Sequence, residues 1–434
     1  MVLVYVDAIT TRMQYAFQFV LKEIAGMEWA FSTDQLFFHQ YEGPKFNYSA
    51  KAISNELHLK PATLLFENGI DSNRFTKSVK HLNEWFPGNL PELENLDIFA
   101  ATFYLISRYE EYFESKYDNY GRYIPQQSIL VKLDLLQTPV IDQWAIHFRK
   151  LLLARFPQLS YQKRSYAVQP TIDVDRAFLF KARPFFNQLG AIGKELITLK
   201  WGQLKDRLLT VFGWTNDVYD VFIALEKLHA SHQLKAIYFL HCANDEAPDK
   251  NINLTNRDFL LLIQQLSLSA TVGLHSSFKS FNNPTKLKEE LAFLTAKLGY
   301  AIDLNRQHFL CWNPTLYPEN LLKNGFRNDY TMGYPQRNGF RAGTCTPFLH
   351  YNLQKEKIEA LSWHPLAIIE SAYQAYPQEQ NKEQWACWHE IITAVKQVDG
   401  TLTIAYHNHS YSNYGPFKGW AATYDKLIQM ATEQ

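Results

Sequence analysis

The chain is poor in the features that would take it outside the ordinary globular class. Only four cysteines occur among 434 residues: Cys242, Cys311, Cys345 and Cys387. No two of them form a Cys-x-x-Cys pair. This excludes a disulfide framework and a thiolate zinc site, and predicts free thiols in a reducing compartment. No apolar run reaches the length of a membrane-spanning helix. Asp7, Arg12 and Lys22 interrupt the N-terminal segment, which has neither a basic start nor a small-residue cleavage site. The expectation is a non-exported, cytoplasmic protein with no membrane span. Charge of one sign is also missing: Lys+Arg and Asp+Glu both number 43. With no basic excess to neutralise phosphates, nucleic acid is excluded as a partner. Gly and Pro stand at 18 each, too few for a low-complexity or disordered chain. Apolar residues, by contrast, make up 47% of the chain and aromatics 15%. At this length they supply a real core and predict two domains.

The pattern divides near residue 150. Residues 1–150 open with a strand, Leu3–Asp7, followed by an amphipathic helix in which Met13, Phe17, Phe19, Val20 and Ile24 recur at helical spacing. Leu96–Ser115 reads as one long helix, apolar almost all round at its start and therefore buried. Its Arg108, Glu110 and Glu111 are expected to form a solvated or inter-domain salt-bridge face. Another helical pattern covers Pro139–Phe156. From about 165 onward strands alternate with helices. Strands are expected at Ala167–Ile172, Lys235–Leu240, Ala270–Leu274, Tyr300–Leu304 and Thr401–Tyr406. Helices are expected at Asp217–His229, Thr255–Ser267, Pro284–Leu298, Tyr317–Asn324 and Lys382–Val398. Such alternation argues for a parallel sheet, open or closed into a barrel.

The chemistry-bearing residues gather at the ends of the expected strands. Asp173 and Asp175 follow the first, His241 the second and His275 the third. Arg306 and His308 follow the fourth, and His407 and His409 the last. Parallel α/β folds build their sites at the C-terminal strand ends. Asp and His from separate strands form a ligand set for a divalent cation. A second Asp serves as general base, and a His from the opposite side protonates a leaving group. This is the equipment of metal-assisted hydrolysis of an amide or ester.

These residues also sit in motifs. Thr171-Ile-Asp-Val-Asp175 resembles the first motif of the polysaccharide deacetylases, the NodB-homology or carbohydrate esterase family 4 type, whose usual form is Thr-Phe-Asp-Asp. His275-Ser-Ser-Phe-Lys279 resembles its His-Ser/Thr-x-x-His motif. Arg306-Gln-His-Phe-Leu310 resembles the third motif and Tyr406-His407 the last. Ile98–Tyr112, Asp329–Tyr334 and Gly339–Gly343 are similar to signatures of a bacterial subfamily that carries an extra N-terminal domain. The resemblance covers nearly the whole chain.

It implies an α/β fold: a distorted (β/α) barrel of NodB-homology type, about seven strands, at 165–434, with a smaller α/β N-terminal domain at 1–150. It further implies removal of an acyl group, N-acetyl above all, from a carbohydrate or sugar-linked small molecule. The water would be activated by a divalent metal, zinc first among candidates. Carried over residue by residue, Asp173 is the base, His407 the acid, Arg306 a third catalytic group, and Asp175 and His275 hold the metal; His308 is the expected replacement for the ligand the motif lacks. Lys279, Tyr330, Arg341 and His241 are the expected substrate contacts.

Two departures bear on this assignment. The spacing Asp173-Val-Asp175 puts both carboxylates on one side if the segment stays extended. Lys279 stands where the family has its second metal-binding His, and an ammonium at about 4 Å would cost on the order of 4 kcal/mol against a cation. Three resolutions are open: His308 or His241 supplies the missing ligand, Lys279 points to solvent, or its ammonium polarises a carbonyl directly. Other residues have more than one reading. Arg306 either orients Asp173 or binds a substrate carboxylate, or it forms a buried ion pair. Arg341 either contacts substrate or belongs to a glycine turn. Tyr330, Tyr334, Trp312 and Trp363 form either a sugar-stacking floor or core. Residues 1–150 could cap the barrel, bind polymer or mediate a homodimer. The rival functions are a non-catalytic carbohydrate-binding protein on a degenerate deacetylase fold and a metal-independent C–N hydrolase.

Overall fold

The computed structural model describes residues 1–53, 55–70, 97–113, 115–182, 185–243, 247–249 and 251–433. The first part builds a small parallel sheet from β1 (Val2–Val6), β2 (Trp29–Ser32) and β3 (Lys45–Tyr48), in the order β2-β1-β3. Central β1 is a nearly continuous buried apolar run, as a strand covered on both faces requires. The helix expected after it is present as Thr11–Phe17. It passes into a π-helical stretch, Gln18–Ile24, that buries Phe19, Val20 and Ile24.

The expected long helix at Leu96–Ser115 is shorter than the apolar pattern implied. Leu96 and Glu114 lie outside the described residues. Asp97 caps the helix Ile98–Ile106 by accepting from the Phe99 and Ala100 amides. The helix ends because Arg108 adopts a left-handed backbone, φ 53°. Of the two readings of Arg108, Glu110 and Glu111, the solvated face is excluded because all three are buried, while Glu111 does form a salt bridge to Arg341 in the later part of the chain. Arg108 Nη2 is 2.6 Å from Glu111 Oε1, and Arg341 Nε is 2.9 Å from the same oxygen. Glu111 thus joins two guanidiniums that are 233 residues apart in sequence.

The rest of the chain is organised by one nine-stranded sheet. Its strands are β4 (Ala167–Val174), β5 (Ile237–His241), β6 (Thr271–Ser276), β7 (Leu304–Gln307), β8 (Asn328–Asp329), β9 (Phe348–Asn352), β10 (Lys357–Trp363), β11 (Ile368–Ile369) and β12 (Thr401–His407). Their order is β11-β12-β4-β5-β6-β7-β8-β10-β9, parallel throughout except β10–β9. The sheet is curled but open, with edges at β11 and β9: of the open and closed forms that the alternation allows it takes the open one, a half-barrel of nine strands where about seven were expected. The antiparallel β9–β10 pair and the helices Phe185–Ile197 and Trp201–Val211 have no counterpart in the sequence reading. The strand expected at Tyr300–Leu304 begins only at Leu304. Gly299 ends the preceding helix in a left-handed conformation, and Tyr300 is exposed. Polar Asn305, Arg306 and Gln307 enter the buried sheet because each finds internal partners.

The main apolar cluster runs from Val2 to Ala431 through both parts of the chain. The turn Gly339–Gly343 locks them together. Gly339 has φ 131°, and a Cβ there would lie 2.3 Å from the Leu136 carbonyl oxygen. Gly339→Ala is therefore expected to lower stability by roughly 1–3 kcal/mol, measured as the urea midpoint at unchanged m-value.

Candidate functional site

Register brings the strand ends level. His407 on β12 pairs with Asp173 on β4, His241 on β5 with His275 on β6, and His275 with Arg306 on β7. A flat sheet would hold β12 and β7 roughly 19 Å apart. The curl folds these ends around a cleft of about 250 Å³, lined among others by Asp173, Asp175, His275, His308, His407 and His409.

Asp175 stands at its centre. Oδ1 lies 3.1 Å from His275 Nε2 and 3.7 Å from His308 Nε2, and Oδ2 lies 3.7 Å from His407 Nε2. Each imidazole is held from behind. His275 Nδ1 is 2.8 Å from the Arg306 carbonyl oxygen, so Nδ1 carries a proton and Nε2 is the nitrogen turned to Asp175. His308 Nδ1 is 2.7 Å from Asp249 Oδ1, and His407 Nδ1 is 2.7 Å from Glu370 Oε1. His241 donates from Nδ1 to the His275 carbonyl at 3.0 Å, and its Nε2 lies 4.0 Å from Asp249 Oδ1.

Electrostatics follow from this arrangement. Burial opposes ionisation of Asp175, but the charges of His308 and His407 outweigh it and hold the carboxyl well below its usual range. Burial likewise opposes charge on His308, yet Asp175 and Asp249 raise it to about 9. On His407 the same opposition is overcome by Glu370 and Asp175, which raise it to about 10. His241 goes the other way: burial, then His308 and His275, push it down to about 3.

Asp175, His275 and His308 offer one oxygen and two nitrogens within 4.8 Å of one another. Asp175 Oδ1 and His275 Nε2 are buried and lie 3.1 Å apart, close but not aligned as a hydrogen bond, with no other partner among the described residues within hydrogen-bonding geometry. Buried polar atoms without partners are costly, and a cation is the partner that satisfies these two at once. The carboxylate behind His308 and the carbonyl behind His275 are the outer supports that metal-ligating imidazoles take. The residues present therefore fit a divalent metal.

The other expected site residues are spread more widely. Asp173 lines the cleft, with Oδ1 2.6 Å from Arg306 Nη1. Arg306 is fully buried behind it, also holding the Thr171 hydroxyl and the Tyr330 carbonyl, so it touches the cleft through Asp173. Lys279 is exposed on the turn Phe278–Ser280, whose amides face Asp249. Tyr330 is stacked on His364 at 4.1 Å. Arg341 is buried between Trp312 and Tyr334, paired to Glu111, and Trp363 packs on Trp312. None of these four aromatics lines the cleft. Sequence reasoning missed Asp249 and Glu370. Asp249 lies in a polar loop with no periodicity. Glu370 did carry a signal: Leu366-Ala-Ile-Ile-Glu370 is an apolar run ending in a charge, like the other strands. Backbone strain marks the site as well, since Phe309 and Leu310, directly after His308, both have positive φ.

Comparison with known proteins adds a frame of limited reach. Residues 2–157 match the model of a family of unknown function, DUF7033. No curated protein matches the chain. Among solved structures, the chain is similar to a putative polysaccharide deacetylase from Mycobacterium smegmatis, with 13% identity, a TM-score of 0.39, and coverage of 64% of this chain and 87% of that one. It is also similar to Puue allantoinase, with 10% identity, a TM-score of 0.38, and coverage of 62% and 85%. A third likeness is to the polysaccharide deacetylase Bc1974 from Bacillus cereus, with 14% identity, a TM-score of 0.26, and coverage of 61% and 86%. All three TM-scores lie below 0.5, so the chemistry of the site rests on its own geometry. Among the described residues no helix is long and apolar enough to cross a membrane.

Proposed function

We propose that this chain is a hydrolase that removes an acyl group, N-acetyl above all, from a carbohydrate or sugar-linked small molecule. The observation that carries this reading is Asp175 set between two outward-facing imidazole nitrogens, with an oriented carboxylate on one side and a carboxylate-backed imidazole on the other. A divalent cation such as zinc, held by Asp175, His275 and His308, would supply an open coordination position, acidify water and polarise the acyl carbonyl.

The chain's own groups account for the protons. Asp173, fixed by Arg306, accepts a proton from the water that attacks the acyl carbon. His407 is protonated at neutral pH and presents Nε2–H to the cleft, so it donates to the departing amine as the carbon–nitrogen bond breaks. Glu370 fixes the His407 tautomer from Nδ1. Lys279 is exposed and lies outside the cleft lining.

The test is acetate release by the zinc-loaded chain from N-acetylated oligosaccharides, sugar nucleotides and lipid-linked N-acetyl sugars. Release that stops with Asp175→Asn supports the reading. Absence of release from all three classes overturns it, and turnover unaffected by excess EDTA would favour metal-free hydrolysis. Glu370→Gln is expected to move the alkaline limb of the rate profile to lower pH. Glu370 raises the His407 pKa, so without its charge the acid form is lost earlier, in the direction of the ordinary imidazole value of about 6.5. An unmoved limb would remove His407 from the acid role.

A further inference from the structure

Between β4 and β5 the chain inserts two helices, Phe185–Ile197 and Trp201–Val211, at the same sheet end as the cleft. The contact between them includes a buried ion pair: Arg207 Nη2 lies 2.7 Å from Glu195 Oε1, and Arg207 Nη1 donates to Gln188 Oε1 at 2.6 Å. Leu204 is buried as well, but many of the large apolar side chains face outward. Leu196, Ile197, Leu199, Trp201, Phe212 and Trp214 are all exposed, Ile197 at 84% and Trp214 at 72%. Single exposed apolar residues are ordinary, but a cluster of this kind marks a contact surface.

The charges among them have one sign. Lys194, Lys200 and Lys205 are exposed. The acidic residues of the two helices are turned away, Glu195 into the ion pair and Asp206 onto the Tyr414 hydroxyl at 3.0 Å. The face is thus locally cationic on a chain of zero net charge. Arg207 also lies over Phe180 at 4.8 Å, and Phe180 meets Tyr414 edge-on. These contacts anchor the hairpin to the segments that leave β4 and β12 beside the cleft.

We propose that this hairpin docks onto an anionic lipid surface, with its aromatic and aliphatic side chains in the headgroup region and its three lysines against lipid phosphates. Tryptophan, short aliphatic stretches and flanking lysines are the composition that interfacial helices use. A second copy of the chain fits less well, because a two-fold contact would bring the lysines of both copies together. The inference stands apart from the hydrolase reading, since lipid binding needs no turnover.

The experiment is co-sedimentation of the full chain with vesicles of phosphatidylcholine and phosphatidylglycerol at 3:1, beside vesicles of phosphatidylcholine alone. Binding to the anionic vesicles is expected. K194Q/K200Q/K205Q should weaken it about 100-fold, and W201S/W214S roughly tenfold or more. Circular dichroism checks that both variants stay folded. The proposal is overturned by no sedimentation with either vesicle, or by binding that ignores both sets of substitutions. It is also overturned by a dimer of the free chain that W201S/W214S dissolves, since a second copy would then own the face. Vesicle binding is measured without substrate, so its failure is distinct from a failure to release acetate.

Discussion

Asp175→Asn is expected to strip the site of metal and of hydrolysis together. Three consequences of one substitution lead there. The amide loses the anionic oxygen that lies 3.1 Å from His275 and 3.7 Å from His308. It removes the charge that helps hold His308 near 9 and His407 near 10. It also leaves two imidazole nitrogens with no anion between them. Metal affinity should fall by more than the roughly 10–100-fold typical of an outer-shell change. Asp173→Asn should behave differently. Asp173 is bound to Arg306 and stands outside the ligand group, so this variant should keep about one zinc per chain while kcat falls roughly 10²–10⁴-fold, the usual contribution of a general base. Metal analysis of both proteins beside the acetate assay separates the roles. Full metal retention by the Asp175 variant would remove that carboxylate from the ligand set. Metal loss by the Asp173 variant would exchange the two assignments.

Glu111→Ala is the substitution expected to cost most in stability. Glu111 is buried and shared by Arg108 and Arg341, which are buried too. Burial opposes its ionisation, but Arg341 and Arg108 outweigh that and hold the carboxyl below its usual range. Among the described residues, truncation leaves Arg341 with the Gly333 carbonyl and the faces of Trp312 and Tyr334. Arg108 keeps Glu110 at 2.9 Å. Removing one partner of a buried pair costs about 3–5 kcal/mol, because the surviving charge stays in a medium that does not solvate it. Urea unfolding followed by far-ultraviolet circular dichroism reads this as a lower midpoint. A shift below about 1 kcal/mol would mean that the carboxylate is solvated and the network marginal.

Much of the fold and site was legible along the chain. The helix at Pro284–Leu298 begins and ends where Pro284 and Gly299 say it should. The strands carrying Asp173, His241, His275 and His407 lie within a few residues of their expected places, because an apolar run closing on a charged residue is a local pattern. Asp173 and Asp175 both line the cleft, although the strand ends at Val174 and Asp175 lies in the bend beyond it. Three things were not legible. The strand of Arg306 is polar, and its residues are buried only because partners elsewhere satisfy them. Arg108 reads as one more helical residue until its pairing with Glu111 and its contact with the Arg341 carbonyl are known. Trp201, Phe212 and Trp214 lie outside the core, and no pattern along the chain marked them as exposed.

By itself, then, the sequence determined the alternation of strands and helices, the side of the sheet on which the reactive groups gather, and the kinds of group present. Those properties depend on spacing along one element, where side-chain direction repeats with a period of 2 or 3.6. Only the tertiary structure decided that the sheet stays open, that His308 completes the group with Asp175 and His275, and that Asp249 and Glu370 stand behind His308 and His407. It also decided that Lys279 faces outward. Each of these joins residues from different elements, as Arg306 meets Asp173 across 133 positions. Such meetings are set by the curl and register of the strands, which no local period encodes.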